Sequence, residues 1–149
     1  MKGMTLIVRN VTKLVAGFIA LFGLYIVVTG HLTPGGGFAG GVILMSAAVL
    51  IVLAFGAKQP RETSVEGRCH VAEGLGALGF LVVALLGLCV GGFFVNFFPA
   101  KGNVHEFLSG GTIMLSNLAI GIKVAAGLTG ILLALVIACR LGWLTPKES

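Results

Sequence analysis

The sequence predicts an all-α membrane protein with four transmembrane helices and both termini in the cytoplasm. Three observations carry this. Of 149 residues, 57% are hydrophobic and only 10% are charged, against roughly 25% charged in a soluble domain. The mean hydropathy is +1.09. No Asp occurs, and the only acids are Glu62, Glu66, Glu73, Glu106 and Glu148. So little polar side chain cannot cover a globule in water, whereas the apolar runs are long enough for a hydrocarbon layer of about 30 Å. A soluble enzyme, a nucleic-acid binder and a disordered tail are excluded. The net charge of +5 does not favour nucleic acid, because the basic residues sit in small clusters beside apolar runs, as membrane flanks do.

The first span is expected over about 12–29. It could pass for a signal peptide, but its apolar run is longer than a usual leader core and no small-x-small cleavage site follows promptly, so a retained helix is expected. The second runs over about 38–57, the third over about 71–98 and the fourth over about 112–141. In lipid each must be helical, because every backbone amide needs an internal partner. The third and fourth exceed the roughly 20 residues a span needs, so tilt or protrusion is expected. The segment from Gly30 to Gly37 makes an antiparallel hairpin of the first two spans. A short basic loop over 58–70 and a polar loop over 99–111 leave no room for a soluble domain, so residues 1–149 form one four-helix domain. With both termini inside, the inner side holds Lys2, Arg9, Lys13, Lys58, Arg61, Arg68, Arg140 and Lys147, and the outer side only Lys101. That asymmetry sets the orientation.

Cys69, Cys89 and Cys139 are widely spaced and include no C-x-x-C pair, so no disulfide framework is expected. Glycine occurs 24 times, about twice the usual 7% share, and many glycines fall inside spans. Gly87 and Gly91 make a G-x-x-x-G, and Ala126 and Gly130 a small-x-x-x-small pair. Such spacing lets helix backbones approach closely in lipid, either within the chain or against neighbouring subunits.

Lys123 is the sharpest single feature. It lies about 11 residues from either end of the fourth span, near the bilayer midplane at 1.5 Å rise per residue. An ammonium there costs about 2.5–3.5 kcal/mol on insertion scales and cannot easily reach either surface. It should face protein or water, in an ion or proton path or in an ion pair between subunits. Helical spacing brings Ser116, Ala119, Ala126 and Gly127 near its face, with Asn117 almost a turn further round. Glu73 starts the expected third span, near the cytoplasmic interface, roughly 10–15 Å from the depth of Lys123 at helical rise. A direct pair is therefore not expected, and Glu73 reads as an interfacial carboxylate or a proton-entry group.

The first loop concentrates the remaining signal in Gly30-His31-Leu32-Thr33-Pro34-Gly35-Gly36-Gly37-Phe38-Ala39-Gly40-Gly41. Pro34 fixes its own φ and biases Thr33 away from helix. The glycine triplet permits a backbone whose amides can line a cavity at the positive end of the next helix. No G-K-[ST] follows, which excludes a Walker-type phosphate loop. An unperturbed imidazole titrates near neutral pH, so His31 is either a proton-passing group or a polar anchor. Lys101, His105 and Glu106 form a small polar cluster in the other outer loop. Two histidines without supporting Cys or Asp do not make a metal or haem site, and no metal or cofactor is expected. No nucleophile–base–acid set is present for hydrolysis.

The hairpin segment resembles the G-H-x-x-P-G-G-G-F-x-G-G stretch of the MnhB/MrpB family, small components of Mrp/Mnh-type multisubunit Na+/H+ antiporters. The same family includes the related small subunit of membrane-bound hydrogenases. The stretch Asn117-Leu-Ala-Ile-Gly-Ile-Lys123-Val is similar to that family's second recognisable region. The resemblance implies a small, non-enzymatic integral-membrane subunit in a prokaryotic plasma membrane, with other membrane subunits of an antiporter or hydrogenase complex as partners and Na+ and H+ as the transported ions. It places Pro34, Gly35, Gly36, Gly37, Phe38, Gly40 and Gly41 in a structural hairpin. Lys123, His31, Glu73, Asn117 and Ser116 become candidates for a cation or proton path. A purely structural assembly subunit is the other reading.

Overall fold

The computed structural model describes residues 4–32, 34–56, 59–96 and 110–140. Four helices run in order: α1 (Leu6–Thr29), α2 (Gly36–Phe55), α3 (Gln59–Val90) and α4 (Thr112–Arg140). Each contains a segment long and apolar enough to cross a membrane, and only 11–22% of the most apolar window of each is buried within the chain. Their large side chains, among them Leu14, Phe18, Leu81 and Ile131, point outward. In water such a surface would drive aggregation, and in a bilayer it is the lipid-facing coat.

The helices depart from the expected bounds most clearly at α3. The basic stretch expected as a loop over 58–70 is helical from Gln59 onward, because nothing after Pro60 breaks a helix and Pro is tolerated in a first turn. The segment after α3 turns back instead of continuing to residue 98. Gly91 takes φ +126° and Phe94 φ +59°, and Gly87 packs against the amides of Phe94 and Val95. The Phe94 ring lies 5.2 Å from that of Phe80 and 4.8 Å from that of Phe93. Thus Gly87 of the G-x-x-x-G serves this turn and not a helix–helix contact. Helix α1 starts six residues before the expected span.

Helices α1, α2 and α4 cluster together, and α3 lies on the outer flank of α4, the only helix it packs against among the described residues. The contacts set directions. Gly23 faces Gly40 across an antiparallel α1–α2 pair, whereas Gly37 meets Asn117 and Gly41 meets Gly121 and Val124, so α2 and α4 run parallel. Cys69, Glu73, Gly76 and Gly79 meet Gly130, Gly127, Lys123 and Ala119 in reverse order, so α3 and α4 are antiparallel. The start of α1, the end of α2 and the end of α4 therefore share one end of the bundle. There the Met4 amide donates to the Ala54 carbonyl at 3.1 Å, and the Arg9 and Lys13 cations sit 5.8 and 5.4 Å from the Phe55 ring centroid.

Glycine makes the close approaches possible. A Cβ on Gly40 would lie 2.9 Å from the Gly23 carbonyl oxygen and the Val27 amide nitrogen, and one on Gly41 2.9 Å from the Gly121 carbonyl oxygen. Lipid tails are as apolar as leucine, so contact area between backbones, not expulsion of water, drives this packing. Gly17 meets nothing within 4 Å. Gly40→Ala is accordingly expected to destabilise the purified chain by about 1–3 kcal/mol through overpacking, while Gly17→Ala is neutral or stabilising by up to about 1 kcal/mol. Thermal melting in detergent measures both, and equal melting points would contradict the packing described.

Candidate functional site: a charged groove on α3 and α4

The groove begins where α3 crosses α4. A Cβ on Gly76 would lie 2.8 Å from the Lys123 amide nitrogen and 3.0 Å from its Cβ. The missing side chain brings the α3 backbone onto α4 at the lysine itself. One turn along, Gly127 leaves space for the Glu73 carboxyl, whose carbon and Oε1 lie 3.3 Å from where a Cβ would stand. An open groove of about 480 Å³ results, lined by Glu73, Gly76 and Phe80 of α3, Lys123 and Gly127 of α4, and Phe38 of α2. Lys123 is exposed and Glu73 half-buried on this face.

The two charges thus share one cavity, which corrects the depth expected for Glu73. Helix α3 begins at Gln59 and runs to Val90, so Glu73 lies well inside the helix and not near its start. Since Gly76 faces Lys123, the three-residue step from Gly76 back to Glu73 amounts to only about 4.5 Å of helical rise. An acid from this chain does reach the neighbourhood of the lysine.

Asn117 and Ser116 lie off the groove. The Asn117 Oδ1 accepts the Gly37 amide at 3.4 Å. Its backbone carbonyl would collide with any side chain on Gly37, and its Nδ2 lies 3.0 Å from a Cβ built on Gly30. Helix α2 has no side-chain cap of its own at Gly35, so α4 supplies from outside an acceptor for one of the first amides that no helix can satisfy internally. The Ser116 hydroxyl donates back to the Thr112 carbonyl at 3.0 Å.

The hairpin glycines divide between the turn and helix contacts. Gly35 and Gly36 take φ +139° and +66° and make the turn, but Gly37, Gly40 and Gly41 are buried in helix contacts. Only Phe38 reaches the groove, while Pro34 is exposed on the turn. His31 packs against Gly110, where a Cβ would come within 2.7 Å of its ring. Gly110 precedes Lys123 by 13 residues, about 20 Å of helical rise. The hairpin histidine and the groove are separate features. His105, Thr33 and Lys101 lie outside the described residues, and no group of three metal-binding side chains occurs among the described ones.

Sequence spacing alone does not single out Gly76 and Phe80 as groove residues. The signal is there: Glu73, Gly76, Ala77 and Phe80 recur at three- and four-residue intervals along one helix face. The expected span over 71–98 already contains these residues, but no spacing along one helix shows which face meets α4.

Four membrane-length helices, two of which bring Glu73 and Lys123 to one groove, define a multi-pass helical membrane protein. Residues 7–130 match the family described as "Domain related to MnhB subunit of Na+/H+ antiporter". The chain belongs to this family. A Staphylococcus aureus protein named as antiporter subunit mnhB2 is 33% identical over 141 residues, covering 91% of this chain and 96% of that one. An uncharacterized protein of Methanocaldococcus jannaschii is 39% identical over 116 residues, 72% of this chain but 43% of its own length. A subunit in the structure of the membrane-bound sulfane sulfur reductase, an archaeal respiratory membrane complex, superposes with a TM-score of 0.73 at 35% identity, over 89% of this chain and 58% of that one. The chain therefore spans about half the length of these last two relatives and nearly all of the staphylococcal one.

Asn117→Ala should leave the Gly37 amide buried without its acceptor and cost about 1–3 kcal/mol. Ser116→Ala, which loses only a bond within its own helix, should change stability by less than about 0.5 kcal/mol. Denaturation of the detergent-solubilised chain distinguishes them, and equal effects would refute the bracing role of Asn117.

Proposed function

We propose that the chain is a transport subunit, not itself a catalyst, of a cation/proton antiporter complex in a prokaryotic cell membrane, and that Lys123 acts in a hydrated path which this subunit walls. The carrying observation is an ammonium within a membrane-length helix, set on an open groove and not inside the chain's own core. Left facing lipid it would cost about 2.5–3.5 kcal/mol or more. A neighbouring membrane subunit laid over the groove removes it from lipid while leaving room for water. Family membership supports the multisubunit setting, and the bacterial and archaeal relatives support the cell membrane.

The orientation rests on charge. The bundle end with Arg9 and Lys13 also carries the helical basic stretch after Gln59 and the end of α4, so both termini face the cytoplasm by the positive-inside bias. In a cysteine-free background, the Lys147→Cys variant should react with a membrane-impermeant maleimide in everted but not right-side-out vesicles, and the reverse labelling would invert the topology.

In everted vesicles carrying the assembled complex, Lys123→Ala should lower Na+/H+ exchange by about tenfold or more, in the range of a lost transition-state charge contact. The complex should remain intact on a native gel. Unchanged exchange would remove Lys123 from the path. A second reading, a subunit of a redox-driven ion pump, is favoured by the likeness to the archaeal respiratory complex. The same assay separates them: exchange under an imposed pH gradient without an electron donor marks an antiporter, and ion movement only with a donor marks a pump.

A further inference from the structure

We infer that Glu73 and Lys123 form one coupled site, in which the Glu73 carboxylate takes the transported proton or small monovalent cation and the Lys123 ammonium is its displaceable counter-charge. The inference rests on the transport reading above and names the ligand class and second residue of that same groove.

Charge balance is the first support. Among the described residues, Glu73 and Lys123 are the only ionisable ones lining the groove, with Phe38, Phe80 and aliphatic side chains making the rest. Each alone would be an isolated charge inside a membrane span, costly unless compensated. Together they are neutral, and at reduced dielectric their attraction exceeds that of a surface pair. The approach is also built into the backbone. Gly127 provides the space against which the carboxyl lies, and Gly76 brings α3 onto Lys123, so both residues of the pair are placed by a glycine on the opposing helix.

The pair is also held open. Helical side chains lean toward their own N-terminus. On antiparallel α3 and α4 the two therefore lean apart, about one helical turn separating their positions. The groove of about 480 Å³ has room for several waters at about 30 Å³ each. A closed, fully hydrogen-bonded salt bridge in a dry core would serve structure alone. A carboxylate and an ammonium held a turn apart beside water can instead exchange partners. When a cation or proton occupies the carboxylate, the local charge rises by one and the ammonium is driven off. When it leaves, the ammonium returns as the counter-charge.

The test compares Glu73→Gln, Lys123→Met and the double variant in vesicles bearing the assembled complex, with the amount of complex checked on a native gel. Each single variant is expected to lose about tenfold or more of the exchange rate, and the double variant to be no slower than the slower single, as coupled residues require. Losses that multiply, or a wild-type rate in Glu73→Gln, overturn the coupled site. A wild-type rate in Lys123→Ala overturns the transport reading as well, so the two failures are distinguishable. Glu73→Asp then identifies the ligand. A raised KM for Na+ marks Na+ on the carboxylate. An unchanged KM with a lowered maximal rate marks the proton, and no change in either parameter overturns the assignment.

Discussion

Contact between bare backbones is the interaction on which the remaining structure depends. Helices α2 and α4 run side by side in the same direction, and they meet where Gly37 admits the Asn117 carbonyl and Gly41 admits Gly121 and Val124. That contact is not secured by burial of large side chains, for among the described residues the fully buried ones are few and Val27 alone is both large and wholly enclosed. It comes from dispersion between surfaces that lie close because nothing stands between them. The glycine-rich hairpin is the consequence: its residues let the first helix pair turn tightly and then lock onto the fourth helix. Asn117 adds a polar bond at the same place, so packing and capping coincide at the start of α2.

The groove follows from the same rule applied to α3. Because this helix reaches only α4 among the described residues, its other faces are open, and the crossing at Gly76 fixes how deep each of its residues stands. The electrostatic character of the site is thus a by-product of a steric choice. A side chain at Gly76 would push α3 away from Lys123, and one at Gly127 would press on the Glu73 carboxyl.

Much of this is legible in the sequence. Four helices, the hairpin between the first two and the oddity of Lys123 all follow from hydropathy and from the cost of a charge in hydrocarbon, terms that act locally along the chain. Glu73 is misplaced by hydropathy alone, because the polar, basic stretch before it has the composition of a loop. Polarity reports contact with water and not the absence of a helix, and a helix can leave the bilayer without ending. Asn117 escapes a sequence reading for a different reason. Its partner Gly37 lies 80 residues away, and no spacing rule along one helix can show a partner on another. The Gly91 and Phe94 turn, which shortens α3, depends on left-handed backbone at a phenylalanine, a conformation that residue type does not announce.

The length of α3 has a geometric meaning. Its 32 residues make a rod of about 48 Å, some 18 Å longer than a hydrocarbon layer of about 30 Å. The rod lies along α4 from Cys69, opposite Gly130, to Gly79, opposite Ala119, a seam of about 15 Å at helical rise. Glu73 stands inside that seam, on the same uninterrupted helix that starts at Gln59. The one helix that positions the carboxylate beside Lys123 is thus also long enough to reach past the hydrocarbon layer.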